Sequence, residues 1–310
     1  MLEFKEHLSE WSKSDKIAIA RVIGTWGSSP RPVGSALIID EDFNMFGSVS
    51  GGCVEGSVLK QAKRLMETGG GKILSYGVTN EDAWSVGLSC GGKLDVYLQI
   101  LEKDDFRKEL FNKIAQNETV VWNTVIENTD VVQNTISNTT TNEANVFSHE
   151  IRRKSQMIII GAAHISSALI HLAKFYEFET IVIDPRTTFA EQVNFDVAPD
   201  QIHNDYPSEV LGDYKLDNET YAVILSHDPK IDDNALQILL KKEVAYIGAL
   251  GSKKTHAKRV QRLLDEGFSQ EQVDRIHAPI GMGINSRTPK EIALSIMAEI
   301  IFVKNSVAEK

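Results

Sequence analysis

Residues 157–186, MIIIGAAHISSALIHLAKFYEFETIVIDPR, decide the fold. MIIIG is a short apolar run ending in glycine, the signature of a strand buried on both faces. Behind it, Ile165, Ala168, Leu169, Leu172 and Tyr176 recur at helical spacing, and TIVIDPR is again strand-like. A strand, a glycine turn, a helix and a second strand make one βαβ unit. The pattern continues downstream. YAVILSHDP (221–229), VAYIGALGS (244–252) and RIHAPIG (275–281) are further strand-then-loop units, separated by helical stretches such as NALQILLKK and THAKRVQRLLDEG. A last helix is expected over 289–303, with Thr288 as its N-cap and Pro289 at its first position. This alternation predicts a Rossmann-like, doubly wound parallel sheet for residues 156–310.

The first hundred residues are different. Of the 21 glycines, 14 lie before residue 93 and none falls between 93 and 160, so the opening segment is built on tight turns. KIAIARVIG (16–24), ALIID (36–40), MFGSVS (45–50), ILSYGV (73–78) and LDVYLQIL (94–101) read as strands, and Val58, Leu59, Ala62, Leu65 and Met66 mark one helix. Residues 1–101 are therefore expected to form a glycine-rich α+β domain. Between the two, residues 102–155 hold eight of the sixteen asparagines and read as strands followed by a solvated connector, NTTTNEANVFSHE, with the domain boundary at 140–156.

With 310 residues, 42% hydrophobic and 25% charged, the chain has the composition of an ordinary globular protein. No apolar run approaches the roughly 20 residues that cross a bilayer, and the charged start MLEFKEHLSEW is unlike a signal peptide, so a cytoplasmic protein without membrane contact is expected. A net charge of −10 argues against a nucleic-acid partner. Two cysteines, Cys53 and Cys90, exclude a zinc ribbon or an all-cysteine iron–sulfur site. Nucleophile-elbow, Walker and HExxH signatures are missing, which leaves hydrolase and kinase readings without support.

In an open parallel sheet, ligands gather at the carboxyl ends of the strands. There the sequence delivers Gly161-Ala-Ala-His164, Asp184-Pro-Arg186, Ser226-His227-Asp228, Gly248-Ala-Leu-Gly251-Ser252 and His277-Ala-Pro-Ile-Gly281. The dinucleotide fingerprint is incomplete, because Ala163 and Ser166 stand where its second and third glycines belong; this weakens NAD(P), although Asp184 is placed to take a ribose hydroxyl. Gly251 and Ser252 open a helix beside Lys253 and Lys254, an anion-binding arrangement whose alternative is a solvated helix face carrying Lys258, Arg259 and Arg262. In the first domain, Ser50-Gly51-Gly52-Cys53 precedes a helix. Cys53 would then lie where free N–H groups favour an anionic sulfur, against the alternative of a small buried residue at a turn. The loop GTWGSSPRPVGS (24–35) offers hydroxyls and one cation, Arg31, to an anionic ligand.

GTWGSSPRPVGS, GSVSGGCVEGSV, YGVTNEDAWSVGLSCGGKLDV, IIIGAAHIS, VIDPR, LSHDPKID, YIGALGSKKTHAKR and IHAPIGMGINSRTPKEIALSIMAEI, taken in order, resemble the XdhC/CoxI family of accessory proteins for molybdenum hydroxylases. The resemblance implies a chaperone that binds molybdenum cofactor (molybdopterin), helps exchange its equatorial oxygen for sulfur, and delivers it to an apo xanthine dehydrogenase or related enzyme. It implies Cys53 at the molybdenum end and either the Rossmann edge or the Arg31 loop at the pterin phosphate, with a cysteine desulfurase as a further partner. Apart from the resemblance, apolar strand edges in the first domain would need covering, so a homo-oligomer is expected. Two departures stand out: Gly161-Ala-Ala163-His164 replaces the family's GAGH, and GMGINSRT places Gly283 where the family carries an acidic residue. The rival reading is an NAD(P)-dependent oxidoreductase using His164, Asp184 and His227, and a third is a metal enzyme using the histidines of the sheet edge.

Overall fold

The computed structural model describes residues 5, 7–28, 31–77, 92–127, 132–186 and 195–308; Cys90 lies outside them. The chain divides into two compact units, Met1–Arg153 and Lys154–Lys310. Residues 102–153, expected as a separate stretch, thus pack within the first unit.

That unit runs α1 (Leu8–Trp11), β1 (Lys16–Trp26), β2 (Ala36–Ile39), β3 (Met45–Gly47), α2 (Glu55–Thr68), β4 (Gly71–Tyr76), β5 (Lys93–Glu102), α3 (Asp105–Ala115), β6 (Val120–Val125), β7 (Asn134–Ser137) and β8 (Val146–Ile151). An antiparallel sheet has the order β3-β2-β1-β5-β4, and a smaller one the order β7-β6-β8. Alternation along β1 explains the layering. Ala18, Ala20 and Val22 pack with the apolar stripe of α2, whereas Ile17 and Ile19 join Leu110, Phe111, Val120 and Trp122 on the opposite face. A central strand covered on both sides must read as a continuous apolar run, which is why KIAIARVIG stands out in the sequence. Val146–Ile151 forms the edge strand β8 where a connector was expected, because its pairing with β6 supplies what its polar composition conceals. Arg21, inside the apolar part of the β1 run, is buried too. Its guanidinium stacks 3.7 Å from the Trp122 ring centre and donates to Thr124 Oγ1 at 2.5 Å, while burial pulls its pKa down to about 9.

The second unit contains β9 (Gln156–Ile160), α4 (His164–Phe175), β10 (Glu179–Ile183), β11 (Gln201–His203), α5 (Pro207–Val210), β12 (Thr220–Ile224), α6 (Pro229–Leu239), β13 (Tyr246–Ala249), α7 (Lys253–Asp265), α8 (Gln270–Asp274), β14 (Ile276–His277) and α9 (Pro289–Ala308). Its six strands are all parallel, in the order β11-β10-β9-β12-β13-β14. This is the Rossmann order, with a topological switch between β9 and β12. Ile159, Val182 and Val223 face one core with α4 and α9, and Ile158, Ile160, Ile181 and Ile224 face the other with α6 and α7. Among the described residues no helix is long and apolar enough to cross a membrane.

The switch point is closed by backbone. Gly161 has φ +104, and a Cβ there would lie 2.6 Å from the backbone N and Cα of Ser226. Gly161 is therefore required by the close approach of β9 and β12. Gly161→Ala is expected to destabilise the protein by ~2 kcal/mol or more, since strain and overlap add. Gly212→Ala, where a Cβ meets nothing within 4 Å, should shift stability by less than about 1 kcal/mol. Urea unfolding followed by circular dichroism compares the two; equal midpoints would remove the close-approach account.

Candidate functional site

In the first unit, antiparallel pairing brings two loops together. Leu37 of β2 pairs with Gly47 of β3, so the loop entering β2 and the turn leaving β3 emerge side by side. Arg31 Nε donates to the Ser48 carbonyl across this junction at 3.3 Å. The turn itself, Ser48 to Val54, is organised by the first residue of α2. Glu55 Oε1 accepts from Ser48 Oγ (2.6 Å), Val49 N (3.1 Å) and Ser50 N (2.9 Å). Its Oε2 accepts from Ser50 Oγ (2.5 Å), Gly52 N (2.9 Å) and Val54 N (3.2 Å). Ser48 Oγ takes the Gly51 N–H at 2.7 Å. Burial alone would raise the Glu55 carboxyl, but the Ser48 and Ser50 hydroxyls and the backbone N–H groups outweigh it and hold the pKa at about 2.

Gly51 and Gly52, at φ 74 and 114, bend the chain so that these N–H groups converge on the carboxylate. Cys53 is a free thiol and exposed, not the buried turn residue that was the alternative. The N–H groups expected to surround its sulfur are instead largely engaged by Glu55 and Ser48. Ser50 is buried beneath the turn and serves as a scaffold. Sequence reading placed Cys53 and Arg31 but gave Glu55 no part; two serines and two glycines ahead of a helix-opening glutamate were the available signal.

At the edge of the parallel sheet, several expected residues have structural partners. Asp184 is fully buried and accepts the Ala162 N–H at 2.8 Å and two guanidinium bonds from Arg186 at 2.8 and 2.7 Å. Burial raises its carboxyl, and these bonds more than reverse the effect. The carboxylate expected at a ribose hydroxyl is thus committed to the β9–α4 turn. His277 stacks on Tyr246 at 4.7 Å and lies 3.6 Å from Glu299, which also takes the Tyr246 hydroxyl and the Gly281 N–H. His164 is exposed at the start of α4, and His227 is exposed in a left-handed conformation, φ 61. Asp228 caps α6 by accepting Lys230 N–H. Among the described residues no three His, Cys, Asp or Glu side chains converge as a metal set.

Beyond β12 and β13 lies a cavity of about 360 Å³, lined by His227, Asp232, Gly251, Lys254, Lys258 and Arg259, among others. Ser252 caps α7 at its mouth, accepting Thr255 N–H at 3.2 Å, and Lys253 is exposed in the first turn. Arg259, expected on a solvated face, is 2% exposed. The helical phase His256, Arg259, Val260, Leu263, Leu264 puts it on the inward stripe of α7, the signal that a reading by residue type passed over.

Glu55→Gln tests the turn. An amide offers one acceptor oxygen and turns its NH₂ toward donors, so the variant is expected to lose ~2–3 kcal/mol, as for hydrogen bonds to a charged group, and to expose Cys53 to faster reaction with a thiol reagent. The sign with pH follows from the lowered pKa: the wild-type advantage is full above the ordinary 4.5 and fades as pH falls toward about 2. Urea midpoints at stepped pH check it; a constant difference would dissociate the effect from this carboxylate.

Comparison with known proteins extends over most of the chain. Residues 157–300 match the XdhC Rossmann domain, and residues 11–77 match the XdhC and CoxI family. The chain is 26% identical over 278 residues to the molybdenum cofactor insertion chaperone PaoD of Escherichia coli, covering 90% of this chain and 80% of that protein. It is 25% identical to a probable xanthine dehydrogenase subunit of Bacillus subtilis, over 95% of each. A crystal structure described as a xanthine dehydrogenase from Bacillus halodurans superposes with a TM-score of 0.75 at 26% identity, covering 98% of this chain and 96% of that one. The chain belongs to the XdhC and CoxI family.

Proposed function

We propose that this protein is a molybdenum cofactor-binding chaperone that protects the cofactor, assists its sulfuration and delivers it to an apo molybdenum hydroxylase of the xanthine dehydrogenase type. The observation that carries the reading is the exposed Cys53 thiol, fixed on the Glu55-braced turn with Arg31 bonded to the same turn. The cargo combines soft and anionic ends. Molybdenum bound through a dithiolene suits a thiolate, and the pterin phosphate suits a guanidinium or a helix N-terminus. Similarity to a named insertion chaperone along 90% of the chain supports the same reading.

On this reading Cys53 meets the molybdenum end, a cysteine desulfurase supplies the sulfur, and Ser50, Gly51 and Gly52 hold the thiol in place. Cargo transfer to a client needs an exposed thiol, and a buried one would have argued against the role. The nicotinamide alternative relied on Asp184, whose carboxylate already holds Ala162 and Arg186.

Protein purified from cells that make molybdenum cofactor should carry molybdenum and, after oxidation, pterin fluorescence; a parallel preparation from cells that cannot make the cofactor should carry neither. Cys53→Ala should fold normally and retain roughly tenfold less pterin, the loss when a contact worth about 1.4 kcal/mol is removed. Wild-type retention by the alanine variant would take Cys53 out of the mechanism. Absence of pterin from both wild-type preparations, with and without added apo client enzyme, would overturn the carrier reading.

A further inference from the structure

The second unit contains a charged cavity at the Rossmann edge, one of the two places that the resemblance leaves open for a pterin phosphate, and its composition is specific. Four cations line it: Lys254, Lys258, Arg259 and Arg262. Two carboxylates oppose them. Asp232, in the lining, accepts from Arg259 Nη2 at 3.1 Å, and Asp233 accepts a two-pronged bond from Arg262 at 2.5 and 2.9 Å. Among the described residues two positive charges remain uncompensated, those of Lys254 and Lys258, both exposed at the rim.

Arg259 is the second, independent feature. Its side chain is 98% buried and its Nη2 bonds Asp232 and the Leu250 carbonyl, yet Nε and Nη1 meet no acceptor among the described residues. His256 Nδ1, one turn earlier on the same face of α7, is likewise buried without a partner there. A buried guanidinium normally has its donors filled, so unfilled donors on Arg259, a residue that lines the polar cavity, point to an acceptor that arrives from outside. The N-terminus of α7, thirteen residues long, opens at the same mouth, and its first-turn N–H groups have no intrahelical partners. An excess of two positive charges, unfilled guanidinium donors and a helix N-terminus match a dianion with several acceptor oxygens. A carboxylate would leave one charge and some donors unanswered.

We infer that this cavity is a binding site for a phosphate monoester, with Arg259 as its buried anchor and Lys254 and Lys258 as its rim. At about 360 Å³ it takes the phosphate and a ring-sized portion of the molecule that bears it. The site lies between the loops after β12 and β13, one strand along from the β9–β12 switch where a dinucleotide would bind. It is independent of Cys53, so the carrier reading can fail while this inference stands, and the reverse.

Thermal unfolding and isothermal titration of the full chain test it with three probes, inorganic phosphate, adenosine 5′-monophosphate and 6-hydroxymethylpterin phosphate, against sodium chloride at matched ionic strength. All three should raise the melting temperature above the chloride control. Preference for the nucleotide or for the pterin identifies which body the phosphate belongs to. Lys254→Ala/Lys258→Ala removes two exposed side chains and should fold, yet bind phosphate at least tenfold more weakly. Arg259→Gln should weaken it further; because that residue is buried, the lysine pair alone decides the test. Cys53→Ala should bind the probes as wild type does. Stabilisation by phosphate no greater than by chloride, or equal in wild type and the double lysine variant, would overturn the site.

Discussion

One carboxylate, that of Glu55, holds the turn that carries Cys53. Four backbone N–H groups and two hydroxyls converge on it. Such a cluster of donors is costly to bury unanswered, and the only acceptor able to answer six at once is an ionised one. The two glycines bend the chain toward the carboxylate, the serines extend its reach, and the thiol is left outside. Exposure of Cys53 is therefore a consequence of how the turn is braced.

The same device recurs in the second unit. Asp184 holds the β9–α4 turn through the Ala162 N–H and gathers Arg186. Glu299 holds the last loop through the Gly281 N–H, and Asp232 joins Ser226 at the end of β12 to Arg259 of α7. Loops that in other sheets of this kind bind ligands through backbone donors are here closed by the chain's own acids. The exception is the α7 mouth, where no carboxylate among the described residues reaches the far side of the Arg259 guanidinium.

Much of this architecture was legible because burial leaves its mark on composition. Parallel strands covered on both faces, such as MIII and TIVI, cannot be mistaken for surface, and the order of strand and helix constrains the sheet. Edge strands leave no such mark. Ser148, His149 and Glu150 in β8, and the three residues of β11, become strands only through their neighbours. Cys53 and Arg31 stand out in the sequence because reactive residue types draw attention in glycine-rich settings, and the structure puts them on adjoining loops. Arg259 and Glu55 were not, because their roles depend on which way a charged side chain points, which residue type does not record.

The Asp184–Ala162 bond also governs what the β9–α4 turn has left to offer a ligand. A carboxylate tethered 22 residues along the same chain competes for the turn's N–H as an intramolecular ligand. A well-oriented intramolecular group acts at an effective molarity that soluble phosphates never reach. The turn's N–H is in that sense already answered by the chain itself, whereas at the neighbouring strand ends Lys254 and Lys258 stand exposed with no carboxylate bonded to them among the described residues.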